Sequence, residues 1–298
     1  MRLAVLVPVL VTLFPFAASA DPISKTYADV QAYMANIVKA HPDTTQLITV
    51  GPSDSGQTIQ GLKIGNGAVH TLVVATHHGN EYGSSELAKA FASDVAANPI
   101  QGQTVYVIPV LNIGGYNARN REETAGGKSY DPNRNYPGPC GTEGPFTLKS
   151  TKALADLVDH ENIVTSATLH TFGPMVLYPW GISASGNDLK TPYNDLFIQI
   201  GNSAVVESHY AVGNSTEMLY PADGAYEDYA FYKHGIWSML FEIGTTHSPS
   251  QAQVDQMNKV NVPGLRRMMA TAPAQRAEKH DFTGKCDNLK KGLDRHDE

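Results

Sequence analysis

The run from residue 69 to 75, Val-His-Thr-Leu-Val-Val-Ala, is apolar and β-branched and is followed by a helical pattern over residues 84–97. A run of that kind reads as a buried strand, so other elements of the chain must cover it. The same succession recurs. Strand-like runs at 104–110, 163–169 and 237–241 alternate with helical patterns at 27–40, 148–160, 188–208 and 250–270. This alternation predicts an α/β fold, a single-domain mixed β-sheet flanked by helices. No linker, repeat or low-complexity block divides the chain.

Polar residues stand just past the ends of these runs. His78-Gly79-Asn80-Glu81 follows the first, Leu111-Asn112 the second, His170 closes Thr168-Leu169-His170, and Glu242 closes Leu240-Phe241-Glu242. The C-terminal edge of an open α/β sheet is where ligands bind. Two imidazoles and two carboxylates gathered there are the parts of a hydrolytic zinc site. Zinc takes neutral His nitrogen and carboxylate oxygen, and a catalytic site keeps three protein ligands so that water fills the fourth position. His78, Glu81 and His170 are the candidate ligands, and Glu242 remains as the acid that handles protons. A His three residues before a Glu is common by chance, and taken alone it carries little weight. The strand-end context is what raises it.

On these residues the chain resembles the M14 family of zinc carboxypeptidases, and the resemblance covers most of the sequence. It implies one Zn2+ per chain held by His78, Glu81 and His170, with Glu242 as catalytic base and peptides as substrates. His170-Thr171-Phe172 followed by Leu177-Tyr178-Pro179 fits the same pattern. In Asp131-Pro132-Asn133-Arg134-Asn135, Asn133 and Arg134 look like the segment that binds the substrate carboxylate, a role suited to a planar guanidinium fork. Asp131 would fix the tautomer of His78. Tyr220 looks like the tyrosine that caps the substrate. A further Arg should polarise the scissile carbonyl, and Arg119 and Arg121 compete for that role, with Arg121 favoured. Seven residues past Tyr220, Glu227 would line the pocket for the departing side chain and favour Lys or Arg there, unless a shifted loop puts Tyr226 or Asp228 in its place. Taken singly, Arg134 reads as a surface ion-pair partner, Tyr220 as a core-edge tyrosine and Glu242 as a capping acid; jointly they do not. His77 reads as a packed neighbour of His78. The other eight histidines, His41, His70, His160, His209, His234, His247, His280 and His296, read as structural.

Two further enzymatic and non-enzymatic readings stand beside this one. Asn80, where digestive members of the family carry Arg, points to a murein-peptide hydrolase cleaving a D-Glu–diaminopimelate-type bond. A catalytically silent binding domain of the same fold is the other, and the intact set of ligands and base speaks against it.

Residues 1–20, with Arg2, an apolar stretch and Ala18-Ser19-Ala20, read as a signal peptide, predicting a secreted or periplasmic enzyme at residues 21–298. Its apolar run is too short for a membrane span. The first helical pattern follows almost at once, leaving no room for an inhibitory pro-segment. Removing residues 1–20 leaves 21 basic against 29 acidic residues, a formal −8, which argues against nucleic acid as a partner. The two cysteines, Cys140 and Cys286, are expected to bridge in an oxidising compartment and so pin the tail to the loop after Arg134. The charged stretch from about residue 279 reads as a frayed end. The oligomeric state is not legible.

Overall fold

A computed structural model describes residues 23–142, 144–278 and 281–287. The expected signal peptide and most of the stretch from residue 279 lie outside these. The described residues begin with α1 (Tyr27–Ala40), capped by a reciprocal Thr26/Asp29 box, then β1 (Thr45–Pro52), β2 (Thr58–Ile64), β3 (Val69–Ala75) and α2 (Tyr82–Ala97). There follow β4 (Gln103–Ile108), α3 (Ile113–Ala118), a small hairpin of β5 (Glu123–Ala125) and β6 (Lys128–Tyr130), α4 (Lys149–His160), β7 (Thr165–His170) and β8 (Met175–Tyr178). The last elements are α5 (Asn194–Ala204), β9 (Ala211–Asn214), α6 (Ser215–Met218), α7 (Tyr226–His234), β10 (Trp237–Glu242) and α8 (Gln251–Thr271).

Eight strands form one mixed sheet in the order β1-β2-β4-β3-β7-β10-β8-β9. Its centre, β4-β3-β7-β10, is parallel. These four strands are buried along almost their whole length, and that is why they read as continuous apolar runs rather than as alternating ones. Parallel pairing brings their C-terminal ends to one rim: Ala75 pairs with Leu169, and Glu242 with His170.

Two sequence expectations need correction. The helical pattern over 188–208 is not one helix but a short turn at Gly186–Leu189 and α5 from Asn194. Pro192 separates them, because its ring disfavours helical backbone at Thr191. The strand expected to reach residue 110 stops at Ile108, since Pro109 has no N–H to continue the ladder. The peripheral strands β1, β2, β8 and β9 had no counterpart in the sequence reading.

Candidate active site

The loop from β3 to α2 carries the first two site residues in a tightly held conformation. Thr76 has φ of 61°, a left-handed setting that costs a β-branched residue free energy. The setting is maintained by its neighbours: the Thr76 hydroxyl donates to the Pro109 carbonyl at 3.0 Å, and its N–H donates to Ser84 Oγ at 3.2 Å. Gly79 then crosses the backbone of α3 so closely that a Cβ would lie 2.0 Å from the Gly115 carbonyl carbon. Only glycine fits at position 79 on this path.

His78, Glu81 and His170 meet at the rim, all buried, with one donor atom of each lying within 4.8 Å of the others. His78 Nδ1 is 2.8 Å from Glu81 Oε1, His170 Nδ1 is 3.0 Å from Glu81 Oε2, and the two Nδ1 atoms are 3.1 Å apart. The far nitrogens are engaged elsewhere. His78 Nε2 meets Asp131 Oδ1 at 3.0 Å, and His170 Nε2 meets Thr168 Oγ1 at 3.2 Å. With each proton placed on Nε2, both Nδ1 atoms turn lone pairs toward each other and toward a carboxylate, an arrangement that calls for a cation between them. The donor set fits zinc. Burial would raise the Glu81 carboxyl, but His78 and His170 hold it well below the ordinary carboxylate range.

Asp131 ties this corner together. Its Oδ1 also accepts from the Asn133 N–H at 2.8 Å, and its Oδ2 accepts from Arg121 Nη2 at 2.8 Å. Arg121 Nη1 reaches His78 Nδ1 at 3.2 Å and lies 3.7 Å from Glu81. Arg119 points away. Its guanidinium packs over the rings of Tyr82 and Tyr116, 4.2 and 4.6 Å from their centres, and donates to the carbonyls of Ser24 and Lys25. Of the two arginines, the cleft therefore contains Arg121.

Glu242, the last residue of β10, faces the same cleft. Burial, and then the charge of Glu81, pushes its carboxyl up to about 8, and its Oε2 is buried without a hydrogen-bond partner.

The cleft as a whole has a volume of about 160 Å³, and beyond the candidate ligands it is bordered by Asn133, Arg134, Ser215, Tyr220, Glu227 and Glu242. Arg134 lies 5.7 Å from the centre of the Tyr220 ring. Asn133 is held by accepting from the Tyr226 N–H at 2.9 Å. Glu227 is buried, its carboxyl is raised by that burial, and its Oε2 has no hydrogen-bond partner. Its neighbours face elsewhere: Asp228 accepts from the Gly181 N–H, and Tyr226 packs against His77 and Tyr136. Cys140 and Cys286 are joined by a disulfide with Cα atoms 5.4 Å apart, fastening the segment around Cys286 to the loop beyond Arg134.

One cleft residue escaped the sequence reading. His247 lines the cleft beside Thr171 and Phe172, with its Nδ1 3.3 Å from the Thr171 hydroxyl. Its position in a loop five residues past Glu242 carries no spacing signal.

Comparison with known proteins agrees with this geometry. The zinc carboxypeptidase (peptidase M14) family model matches residues 30–264. Carboxypeptidase B of Astacus astacus is 25% identical over 253 residues, covering 70% of this chain and 82% of that protein. Carboxypeptidase B of Rattus norvegicus is 25% identical over 264 residues, 73% of this chain and 62% of that protein. Among solved structures, bovine thrombin-activatable fibrinolysis inhibitor in complex with tick carboxypeptidase inhibitor superposes with a TM-score of 0.75 at 18% identity, covering 82% of this chain and 96% of that one. The murein-tripeptide amidase of Escherichia coli O157 superposes with a TM-score of 0.52 at 15% identity, over 76% of this chain and 92% of that one. With the family match spanning most of its length and the zinc-type donor set gathered at the rim of its sheet, the chain belongs to the zinc carboxypeptidase family.

Proposed function

We propose that this metallocarboxypeptidase removes a basic residue, Lys or Arg, from the C-terminus of peptides. The observation that carries the specificity is the buried Glu227 carboxylate, which borders the cavity with one oxygen unpartnered. A desolvated carboxylate rewards a matching cation and penalises an apolar side chain that leaves it unpaired.

His78, Glu81 and His170 would hold the zinc, which when bound polarises the scissile carbonyl and activates water. Glu242 accepts the proton of the attacking water and returns it to the leaving amine. Arg121 donates to the oxygen that becomes negative. Arg134 presents its fork to the terminal carboxylate, Asn133 adds a neutral donor, and Tyr220 closes over the bound residue. Asp131 orients His78 and Arg121 together. The signal-like residues 1–20 support a secreted or periplasmic location, and no helix among the described residues is long and apolar enough to cross a membrane.

The test is kcat/KM for one peptide ending in Arg, Lys, Leu or Phe, with the native chain and with Glu227→Ala. The native chain should prefer Arg or Lys, and Glu227→Ala should reduce that preference by roughly 10- to 100-fold, the value of a charge-assisted hydrogen bond. A native preference for Leu or Phe, or a ranking unmoved by the substitution, removes Glu227 from specificity. A second reading, hydrolysis of murein peptides, is supported by Asn80 and by the amidase neighbour. Murein tripeptide and tetrapeptide in the same panel separate the two.

A further inference from the structure

Behind the candidate ligands lies a buried polar chain that the mechanism above does not use. His77, Thr168 and Tyr136 are all fully buried. Thr168 Oγ1 stands 3.2 Å from His170 Nε2 and 3.1 Å from His77 Nδ1, and His77 Nε2 stands 3.0 Å from the Tyr136 hydroxyl. The His77 ring also stacks on the His170 ring, with centres 5.6 Å apart and planes 16° from parallel.

The directions of these hydrogen bonds follow from His170. If its Nδ1 is to bind a cation, Nε2 carries the proton and donates to Thr168 Oγ1. Thr168 must then turn its own proton away, and His77 Nδ1 is the acceptor in reach. That leaves the His77 proton on Nε2, donated to the Tyr136 hydroxyl. A lone threonine hydroxyl would be free to rotate and meet His170 with either its proton or its lone pair. With His77 behind it as the Nε2–H tautomer, its Nδ1 accepting and its Nε2 engaged by the Tyr136 hydroxyl, only the lone pair is offered.

We propose that His77, acting through Thr168, is a positioning residue that fixes the tautomer and orientation of His170 and so sets the affinity of the site for zinc. This rests on the reading of His170 as a ligand. Outer partners of metal-bound histidines typically contribute 10- to 100-fold in metal affinity.

The experiment is competition for zinc between the full chain and a chromophoric chelator, with thermal unfolding of the metal-free protein as a control for folding. Thr168→Val, which keeps shape and removes the hydroxyl, should weaken zinc binding by about 10- to 100-fold, and His77→Leu should do the same. Thr168→Ser should bind as the native chain does. Because both residues belong to one relay, the double variant Thr168→Val/His77→Leu should be no weaker than the weaker single variant. Native affinity in Thr168→Val, or a double-variant loss equal to the product of the single losses, overturns the relay. If His77→Leu does not fold, the Val and Ser pair at position 168 decides alone. His170→Ala separates the two readings: zinc retained in that variant removes His170 as a ligand and the relay with it, whereas zinc lost there but unaffected in Thr168→Val overturns the relay only.

Discussion

The two halves of the cleft are built on opposite principles. At the metal corner, the side chains already hold one another: Asp131 engages His78, Arg121 and the Asn133 N–H, Thr168 engages His170, and the Thr171 N–H donates to Glu81 at 3.1 Å. In the adjoining cavity, Ser215 Oγ, Glu227 Oε2 and Glu242 Oε2 are buried without hydrogen-bond partners. These three atoms have no protein partner, and a polar group entering the cleft can supply one. The difference teaches where the fold does the work and where the substrate does. The corner is preorganised before anything binds, whereas the cavity is completed by what enters it.

The largest expected effect falls on the group that belongs to both halves. Glu242→Gln should retain zinc and fold but lose roughly 10²- to 10⁴-fold in kcat, because an amide cannot accept the proton of water. Metal content and single-turnover rates check this. Turnover near the native level with zinc bound would mean that Glu242 is part of the cavity wall rather than the base.

A smaller loss is expected at the carboxylate clamp. Arg134→Lys should reduce kcat/KM for free-carboxylate peptides by about 10- to 100-fold, since a point-charge ammonium cannot reproduce a bidentate fork. The same peptide with an amidated C-terminus should be a poor substrate of the native chain. Equal cleavage of both would make the enzyme an endopeptidase and end the role given to Asn133 and Arg134.

The smallest effect sharpens the contrast with a buried acid outside the cleft. Glu123 accepts from the Ser150 hydroxyl and from the Asp54 N–H, yet burial still raises its carboxyl from 4.5 to about 7. The native state therefore holds a proton that the unfolded chain has released above 4.5. That contribution to stability is present at low pH and is lost as pH rises from about 4.5 to about 7. Its size is on the order of 3 kcal/mol. Glu123→Gln should lack this fall, as read from denaturant midpoints across that range, and should leave kcat/KM unchanged. An identical pH slope in both proteins would show that Glu123 is ionised in the fold.

Much of the site was legible because its chemistry is local. His78 and Glu81 are three residues apart, Asp131, Asn133 and Arg134 share one turn, and His170 and Glu242 each end a run whose composition already marks it as a buried strand. The helix expected over 188–208 failed because a 3.6-residue periodicity was read through Pro192. The outer strands were missed because half-exposed segments such as β1 lack the continuous apolar signal of β3.

What the sequence by itself determined was the kind of fold and the kind of site: alternating buried strands and helices, and a set of imidazoles and carboxylates at strand ends that suits zinc. Tertiary structure alone separated residues that the sequence left in competition. Arg119 and Arg121 differ by two positions, yet one packs on the rings of Tyr82 and Tyr116 and the other reaches Asp131, with Arg119 in a left-handed backbone at the end of α3 between the two directions. Tyr226, Glu227 and Asp228 are consecutive on α7, and the helix sends each in a different direction. The bridge between Cys140 and Cys286 and the placement of His247 likewise depend on distances between segments far apart in the chain. Composition and spacing report which groups are present; only the packed chain reports which of them face one another.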